Sequence, residues 1–335
     1  MKPSSSTVVS QANRPIGARH LTRVLDLAQH EVTGLLSFAA TLKKDYTPWA
    51  DCFRQRALAL AFEKPSLRTR ASFEVGFQKF GGSVVFLDQQ LSPIGERESI
   101  ADFARNMERW VSVLVARTRR QSTISELARW SSIPVVNALS DEHHPCQALA
   151  DWFTIHERLG AMTTAHLAWV GDGNNVCHSL MEAAASVGGQ MTVITPEGLE
   201  PSVDVLRSCQ ARSMRTGASI RVTNDLAAVA GAHAVYTDAW ISMGQANAEQ
   251  KITKLRPYQV NAGLMAKAAP GAIFMHCLPA HRGEEVTDDV IDSAASVVFD
   301  QAENRMHTQN AVLLALLRPD IVTFSPGGEA VVARD

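Results

Sequence analysis

Short apolar runs alternate along most of the chain with longer stretches in which apolar residues recur at helical spacing. In the first half this pattern predicts strands at 58–62, 83–87, 111–116 and 135–139, and helices at 66–80, 98–110 and 123–130. In the second half it predicts strands at 166–170, 191–195, 219–222, 234–237, 272–276 and 297–300, and helices at 177–187, 201–213 and 259–268. Such alternation, with strands rich in Val and Ile, is typical of parallel sheets that helices cover on both faces.

The domain organisation follows from the length and from two long helices. A chain of 335 residues is long for a single core. We therefore predict an α/β protein with two doubly wound domains, each with a central parallel sheet, joined by crossing helices. The predicted parts are a flexible tail at 1–19, a first domain at 20–150, a second domain at 151–304 and a C-terminal helix at 305–320 that packs back on the first domain. A helix over 144–159 would cross between the halves, and 324–335 is predicted to be a loose tail.

Composition excludes several classes of protein. A net charge of −2 is too balanced for a nucleic-acid surface, and no apolar stretch approaches the roughly 20 residues of a membrane span. Five cysteines without CxxC spacing argue against a disulfide framework or structural zinc, and we predict no metal. The Ser-rich start lacks the apolar centre of a secretory signal. We interpret it as the tail of a cytoplasmic protein rather than as a mitochondrial transit peptide.

The segment 63–70 follows the first predicted strand directly and opens a helix. Free backbone N–H groups and the positive end of the helix dipole make such a position favourable for an anion. Ser66 and Thr69 add hydroxyl donors, and Arg68 and Arg70 add planar cations that suit a phosphate. The segment therefore predicts a phosphate site without a Walker loop.

Two further groups follow strands of the same half. Arg117 comes directly after the strand at 111–116, and His144, Pro145 and Gln147 come a few residues after the strand at 135–139. His144 and Gln147 are spaced i, i+3 at a predicted helix start, so both can face one ligand. In such sheets ligands bind at the carboxyl ends of the parallel strands. The joint placement predicts a site for a small phosphate that carries a carbonyl and an amine, although each residue alone would be ordinary.

The second half offers a glycine-rich turn at 171–175, which imitates a dinucleotide fingerprint. Val176 stands where the third glycine would be, and the strand about 20 residues on ends near Glu197, which keeps a nicotinamide-dependent dehydrogenase open as an alternative. We favour instead Asn175 as a polar group presented to a ligand.

Three more candidates follow strands in the second half. Asp238 is an acid suited to an ammonium group, and Gly244 opens a polar stretch that could be a mobile lid. His276 and Cys277 are adjacent and point to opposite faces of a strand, which disfavours a shared metal, and no activating base marks Cys277 as a nucleophile. Arg305 follows the strand predicted at 297–300.

Four motifs in this order resemble the aspartate/ornithine carbamoyltransferase family, over about residues 20–318. They are Ser66–Arg70, His144–Gln147, Asp238–Gly244 and His276–Pro279. The resemblance is strongest to the members that use ornithine. Two positions depart from the family pattern. Leu67 replaces the usual Thr of the phosphate motif, and Pro93 stands where the family often offers Gln or His to the phosphate site of a neighbouring subunit.

The resemblance implies transfer of a carbamoyl group from carbamoyl phosphate to the side-chain amine of L-ornithine, giving L-citrulline and phosphate in arginine biosynthesis. It implies no cofactor and a homotrimer. Putrescine or N-acetylornithine as the amine is the alternative within the family, and the Ser242–Gly244 loop disfavours putrescine. A non-catalytic binding protein is disfavoured because the chemical groups are retained except at Leu67 and Pro93.

The resemblance also implies roles for individual residues. The carbamoyl phosphate site would contain Ser66, Leu67, Arg68, Thr69, Arg117, His144, Gln147, Cys277, Leu278 and Arg305. The ornithine site would contain Asn175, Asp238, Ser242 and Met243. The catalytic group would be Arg117, His144, Gln147, Cys277 and Arg305.

Overall fold

The first sheet lies in the N-terminal half of the computed structural model, which describes residues 13–160, 162–241 and 248–333. Its strands are β1 (Ala57–Phe62), β2 (Ser83–Asp88), β3 (Val113–Arg117) and β4 (Val135–Leu139). They are all parallel and lie in the order β2-β1-β3-β4. The chain therefore changes direction across the sheet between β1 and β3, which is where ligands bind in doubly wound sheets.

The second sheet repeats this plan. Its strands are β5 (His166–Val170), β6 (Gln190–Ile194), β7 (Ser219–Thr223), β8 (Ala234–Thr237) and β9 (Ile273–His276). They are also parallel, in the order β7-β6-β5-β8-β9, so the switch point lies between β5 and β8. The predicted α/β class with two doubly wound sheets is confirmed.

Helices cover both sheets. In the first half these are α1 (Gln29–Lys44), α2 (Leu67–Lys79), α3 (Ile100–Met107), α4 (Gln121–Trp130) and α5 (Pro145–Leu159). In the second half they are α6 (Asn175–Val187), α7 (Val203–Thr216), α8 (Ala248–Leu255), α9 (Ala262–Met265), α10 (Asp288–Ile291) and α11 (Val298–Leu317). The strands β10 (Val322–Phe324) and β11 (Ala330–Val332) form an antiparallel hairpin. In the described part of the chain no helix is long and apolar enough to cross a bilayer.

Two helices join the halves. Helix α5 begins after β4 and packs against α6 of the second sheet, where the indole of Trp152 donates to the carbonyl of Leu180 at 3.3 Å. The division predicted at 150/151 falls inside this helix. Helix α11 starts beside β9 and packs against α1, α2 and α5. It thereby carries residues from the second half back to the first.

The strand predicted at 297–300 is wrong, because residues 298–300 belong to helix α11. Strand-like pairing here is limited to a single bridge between Ser296 and Phe274, with Val297 N–H donating to the Phe274 carbonyl. A short apolar run does not distinguish a strand from the first turn of a buried helix. Arg305 therefore comes from a helix and not from a strand end.

Other differences concern the chain ends and one helix. The tail predicted at 324–335 includes strand β11 and the last residue of β10, and the helix predicted at 259–268 is reduced to the single turn α9. Helix α1 had no counterpart in the predicted elements. Of the tail predicted at 1–19, residues 1–12 lie outside the described part. Arg14 is paired through its backbone with Phe324, and Gly17 N–H donates to Glu31 at 2.5 Å, so this portion is held in place.

Candidate active site

A cavity of about 650 Å³ lies between the carboxyl ends of the two sheets. Segments that follow β1, β3 and β4 line one side, and segments that follow β5, β8 and β9 line the other. The predicted site residues that line it are Ser66, Leu67, Arg68, Thr69, Arg117, His144, Gln147, Asn175, Asp238, Cys277, Leu278 and Arg305. The two other predicted residues, Ser242 and Met243, lie outside the described residues.

The start of helix α2 forms one end of the cavity. Ser66 is its N-cap with extended backbone, and its hydroxyl accepts from Thr69 N–H at 3.4 Å and donates to the Thr69 hydroxyl at 3.0 Å. Apart from the capped Thr69 N–H, the N–H groups of Leu67 and Arg68 have no partner within their own helix, so they remain available to an anion. Leu67 occupies the first position of the turn with its side chain 81% exposed, and its backbone N–H belongs to this set.

Arg70 does not contribute to the cavity, although the residue pattern had suggested it as a phosphate ligand. Its guanidinium lies 3.9 Å from the ring centroid of Phe86 and donates to Glu74 at 3.2 Å. Arg68 lines the cavity. Side chains two residues apart on a helix point to nearly opposite sides, so Arg68 and Arg70 cannot face one ligand.

Arg305, which is buried, and Arg117, which is partly buried, complete the cationic wall. Arg117 ends β3, and Arg305 reaches the cavity from α11, where its guanidinium donates to the Thr69 hydroxyl at 2.7 Å. Burial, with Arg305 adjacent, lowers the pKa of Arg117 to about 10. Burial likewise lowers the pKa of Arg305. Arg117 keeps its charge at pH 7, and the unfavourable proximity of the arginines favours a bound anion.

His144 and Gln147 line the same wall at the start of α5. The backbone N–H of His144 donates to the Ser179 hydroxyl at 2.7 Å, which ties the start of α5 to α6. Burial, together with Arg305 and Arg117, holds the pKa of His144 well below its ordinary value. The imidazole is therefore neutral at pH 7 and adds no charge to the cavity.

Four buried polar atoms in this wall lack hydrogen-bond partners among the described residues. They are Nε of Arg117, Nδ1 of His144, Oε1 of Gln147 and Nε of Arg305. Buried polar atoms are almost always paired in folded proteins, because an unpaired one costs about 1–3 kcal/mol. Their concentration in one wall indicates a polar ligand.

The opposite wall is centred on Asp238, which follows β8. One carboxylate oxygen accepts from the Asn174 amide at 2.8 Å, and the other accepts from the Cys277 thiol at 3.0 Å. Burial and Asp238 together raise the pKa of Cys277 well above its ordinary value. Cys277 is therefore a thiol donor and not a nucleophile.

Among the described residues two groups of side chains could hold a metal ion, namely Asp238, His276 and Cys277 at this wall and His281, Glu284 and Glu285 further along the chain. Both ring nitrogens of His276 are engaged. Nδ1 accepts from Leu278 N–H at 2.8 Å, and Nε2 lies 3.2 Å from Glu285 Oε1. His276 is therefore a structural residue that fixes the turn after β9.

The glycine-rich turn after β5 has a packing explanation. A Cβ on Gly173 would lie 2.3 Å from Pro201 N, and Gly173 N–H donates to the Leu199 carbonyl at 2.8 Å. This glycine permits close approach of another backbone segment, and no pyrophosphate is needed to explain it. Asn174 caps α6, and the Asn175 amide donates to the Ser140 carbonyl at 2.7 Å.

The cavity has further lining residues to which the sequence analysis assigned no role. They are Lys64, Pro65, Leu139, Ser140, Asp141, Asn174, Val176, Ala239, Ile241, Pro279 and His281. Lys64 and Asn174 lie within the segments 63–70 and 171–175, and this membership is the one signal that could have found them. Asp141 lies between two motifs and carries no such signal.

Comparisons with known proteins agree with this geometry. Family models match the carbamoyl-P binding domain of aspartate/ornithine carbamoyltransferases at residues 19–157 and their Asp/Orn binding domain at residues 164–316. The ornithine carbamoyltransferase of Shewanella oneidensis is 48% identical over 299 residues, which cover 89% of this chain and 99% of that protein.

A second relative and a solved structure extend the comparison. The ornithine carbamoyltransferase of Pyrococcus horikoshii is 49% identical over 264 residues, covering 78% of this chain and 83% of that protein. The solved structure of ornithine carbamoyltransferase from Pyrococcus furiosus superposes with a TM-score of 0.86 at 44% identity, covering 92% of this chain and 99% of the other. The chain therefore belongs to the aspartate/ornithine carbamoyltransferase family.

Proposed function

We propose that the chain transfers the carbamoyl group of carbamoyl phosphate to the side-chain amine of L-ornithine, giving L-citrulline and phosphate. One observation carries the proposal. A single cavity has buried cations and unpaired donors on its first wall, and a carboxylate with amide neighbours on its second. A small dianion and an amino acid can therefore be held face to face.

The first wall suits carbamoyl phosphate. The N-terminus of α2, with Ser66, Arg68 and Thr69, would hold the phosphate oxygens, and Leu67 would contribute its backbone N–H. Arg117 and His144 would donate to the carbamoyl oxygen, and Gln147 would accept from the carbamoyl amine. Arg305, already bonded to Thr69, would add charge at the bond between the two groups.

The chemistry needs no covalent enzyme intermediate. The neutral amine of ornithine forms a bond to the carbamoyl carbon, the carbonyl electrons move onto oxygen, and the bond to the phosphate oxygen then breaks. The attacking nitrogen gives up one proton and the leaving phosphate takes one up, so the products are neutral at the new ureido group and phosphate departs as hydrogen phosphate. Fixed donors at the developing oxyanion lower the activation barrier. Holding both substrates in one cavity lowers the entropic cost of bringing them together.

The second wall suits the amino-acid head of ornithine. Asp238 would pair with the α-ammonium group, and Asn175 with the carboxylate. Ser242 and Met243 are proposed to complete this site. Cys277 donates to Asp238 and so orients the carboxylate that receives the ammonium group.

A citrulline assay with a panel of amines tests the proposal. We expect rapid citrulline formation from carbamoyl phosphate with ornithine, and little ureido product with putrescine, lysine or N-acetylornithine. The panel should be run on one preparation at equal amine concentration. A preference for putrescine or N-acetylornithine would contradict the assignment of the second wall.

We also propose a cytoplasmic homotrimer that serves arginine biosynthesis. The loop after edge strand β2 carries Leu91, which is fully exposed in the isolated chain, and Leu67 at the start of α2 is exposed as well. Exposed apolar side chains of this size favour burial against another subunit. Light scattering should give about three times the 36.4 kDa chain mass, and a monomer would contradict the trimer.

Changing Arg68 to Ala is expected to weaken carbamoyl phosphate binding by about 10–100-fold, since hydrogen bonds to charged groups are worth about 1.5–3 kcal/mol. Arg70→Ala is the matched control, because Arg70 lies in the same motif but pairs with Glu74 and Phe86. Isothermal titration measures both. Normal affinity in Arg68→Ala would remove this residue from the phosphate site.

Turnover should depend on pH through the attacking amine. Below the amine pKa of about 10, the neutral fraction rises tenfold per pH unit, so kcat/KM for ornithine should rise about tenfold per unit from pH 7 to 9. His144 is already neutral in this range, Cys277 stays a thiol and Arg117 stays charged, so they add no slope. The assay should contain saturating carbamoyl phosphate, so that a pH dependence of carbamoyl phosphate binding does not affect the measured kcat/KM for ornithine.

Lys64 is the control for this pH profile. It lines the cavity, and burial with Arg117 nearby lowers its pKa, so its own deprotonation could contribute. Lys64→Met should keep the same rise if the substrate amine is responsible. A flat profile in the wild-type protein would count against attack by the neutral amine.

A further inference from the structure

A buried carboxylate lies one helical turn behind Gln147 and does not line the cavity. Asp151 is fully buried in α5. Its Oδ1 accepts from the Gln147 amide Nε2 at 2.8 Å and from the Gln301 amide Nε2 at 2.6 Å, and its Oδ2 accepts from the Tyr236 hydroxyl at 3.2 Å. The network joins α5, β8 and α11, which come from both halves of the chain.

The hydrogen bond between Gln301 and the backbone of His276 determines which groups of this network donate and which accept. The Oε1 of Gln301 accepts from the backbone N–H of His276 at 3.0 Å. A backbone N–H can only donate, so the Gln301 amide must turn its NH₂ group toward Asp151. Asp151 Oδ1 is therefore an acceptor, and Gln147 must also turn its NH₂ group toward it.

Gln147 consequently presents its oxygen to the cavity. That oxygen is buried and has no hydrogen-bond partner among the described residues, although Gln147 lines the cavity. A reversed amide would set its oxygen against the Asp151 oxygen, which is repulsive. The Gln147 oxygen is thus a fixed acceptor that lines the cavity together with the donors and cations of Arg68, Arg117 and Arg305.

In carbamoyl phosphate the NH₂ group alone donates hydrogen bonds when the phosphate is a dianion. Building on the proposed function, we infer that Asp151, supported by Gln301 and Tyr236, is a positioning residue that holds the Gln147 oxygen toward the amino group of carbamoyl phosphate. The residue would thereby select a carbamoyl over an acyl phosphate without touching either ligand.

The arrangement does not require Asp151 to be charged. Burial raises its pKa to about 7, while its three hydrogen-bond donors and Arg305 oppose that rise. A proton would reside on Oδ2, which faces Tyr236, and Oδ1 would still accept from both amides. Asparagine can reproduce this state, with its oxygen toward Gln147 and its NH₂ group toward the Tyr236 oxygen.

The test compares two ligands that differ only at the amino group. Acetyl phosphate carries a methyl group in its place, so the ratio of its Kd to that of carbamoyl phosphate measures recognition of the amine. Asp151→Leu is expected to lower this ratio about tenfold, which is the order of one lost hydrogen bond, through weaker binding of carbamoyl phosphate alone. Asp151→Asn is the conservative control and should retain the wild-type ratio.

The outcomes separate this inference from the proposed function. If wild-type protein forms citrulline while Asp151→Leu weakens both ligands equally, the function stands and the positioning role is wrong. A fall of the Kd ratio in Asp151→Asn to the value found in Asp151→Leu would also overturn the positioning role. Should Asp151→Leu fail to fold, neutron diffraction from wild-type crystals decides: deuterium on the Gln147 atom facing Asp151 supports the inference, and deuterium on the atom facing the cavity refutes it.

Discussion

Replacing Arg117 by methionine is expected to lower kcat by about 10²–10³-fold, the usual cost of removing one oxyanion donor. Arg117 ends β3 beside Arg305, and burial together with Arg305 lowers the pKa of its guanidinium to about 10, so the group is partly desolvated before substrate arrives. Its Nε has no hydrogen-bond partner in the described part of the chain. A desolvated donor acts most strongly where negative charge develops, which is at the carbamoyl oxygen. Steady-state citrulline assays at saturating substrates measure the effect.

Arg119→Met is the matched control for this change. Arg119 lies two residues further on, is exposed, and does not line the cavity, although its backbone N–H binds Glu63 at 2.7 Å. The substitution removes the same charge from the same loop and should leave kcat unchanged. Equal losses in the two variants would mean that Arg117 acts through general electrostatics or folding rather than as a donor.

Replacing Asp238 by asparagine is expected to lower kcat/KM for ornithine by about 10–100-fold, because a charge-assisted bond to the ammonium group is worth about 1.5–3 kcal/mol. The Asp238 carboxylate is oriented by Asn174 at 2.8 Å and by Cys277 at 3.0 Å, so it is preorganised for a cation. Binding of carbamoyl phosphate should be unchanged, since the first wall is untouched. Initial rates with each substrate varied in turn separate the two effects.

Asp141→Asn distinguishes this prediction from a general loss of negative charge. Among the described residues, Asp141 is the other aspartate that lines the cavity, and one of its oxygens accepts from Gln121 N–H at 2.6 Å. Its replacement should affect ornithine much less than that of Asp238. The opposite ranking would mean that ornithine lies in the reversed orientation.

The fold and most of the site could be predicted from local patterns. Buried parallel strands produce apolar runs, and the residues that follow them collect at one edge of a sheet, which is why Arg117, Asp238 and Cys277 were found. Arg305 was also singled out as a residue that follows a predicted strand, but that strand was wrong. Its position depends on α11 packing back across the first domain, and this tertiary contact leaves no local signal.

Three-dimensional contacts also determine the roles of residues that local patterns misassigned or missed. The Arg70 guanidinium could bind a phosphate, but it packs instead on the ring of Phe86 in strand β2. Asp151 and Gln301 are 150 residues apart and meet only because α5 and α11 pack together. Gly173 matches a nucleotide-binding motif in the sequence. It is required, however, because the backbone of residues 199–201 leaves no room for a Cβ at this position.

Diffraction from crystals soaked with carbamoyl phosphate tests the central claim most directly, which is that the first wall grips this dianion by its phosphate. We predict phosphate density against the first turn of α2 and Arg68, with the carbamoyl group between Arg117, His144 and Gln147. Density at another position, or a reversed ligand with its phosphate against Gln147, would contradict the account.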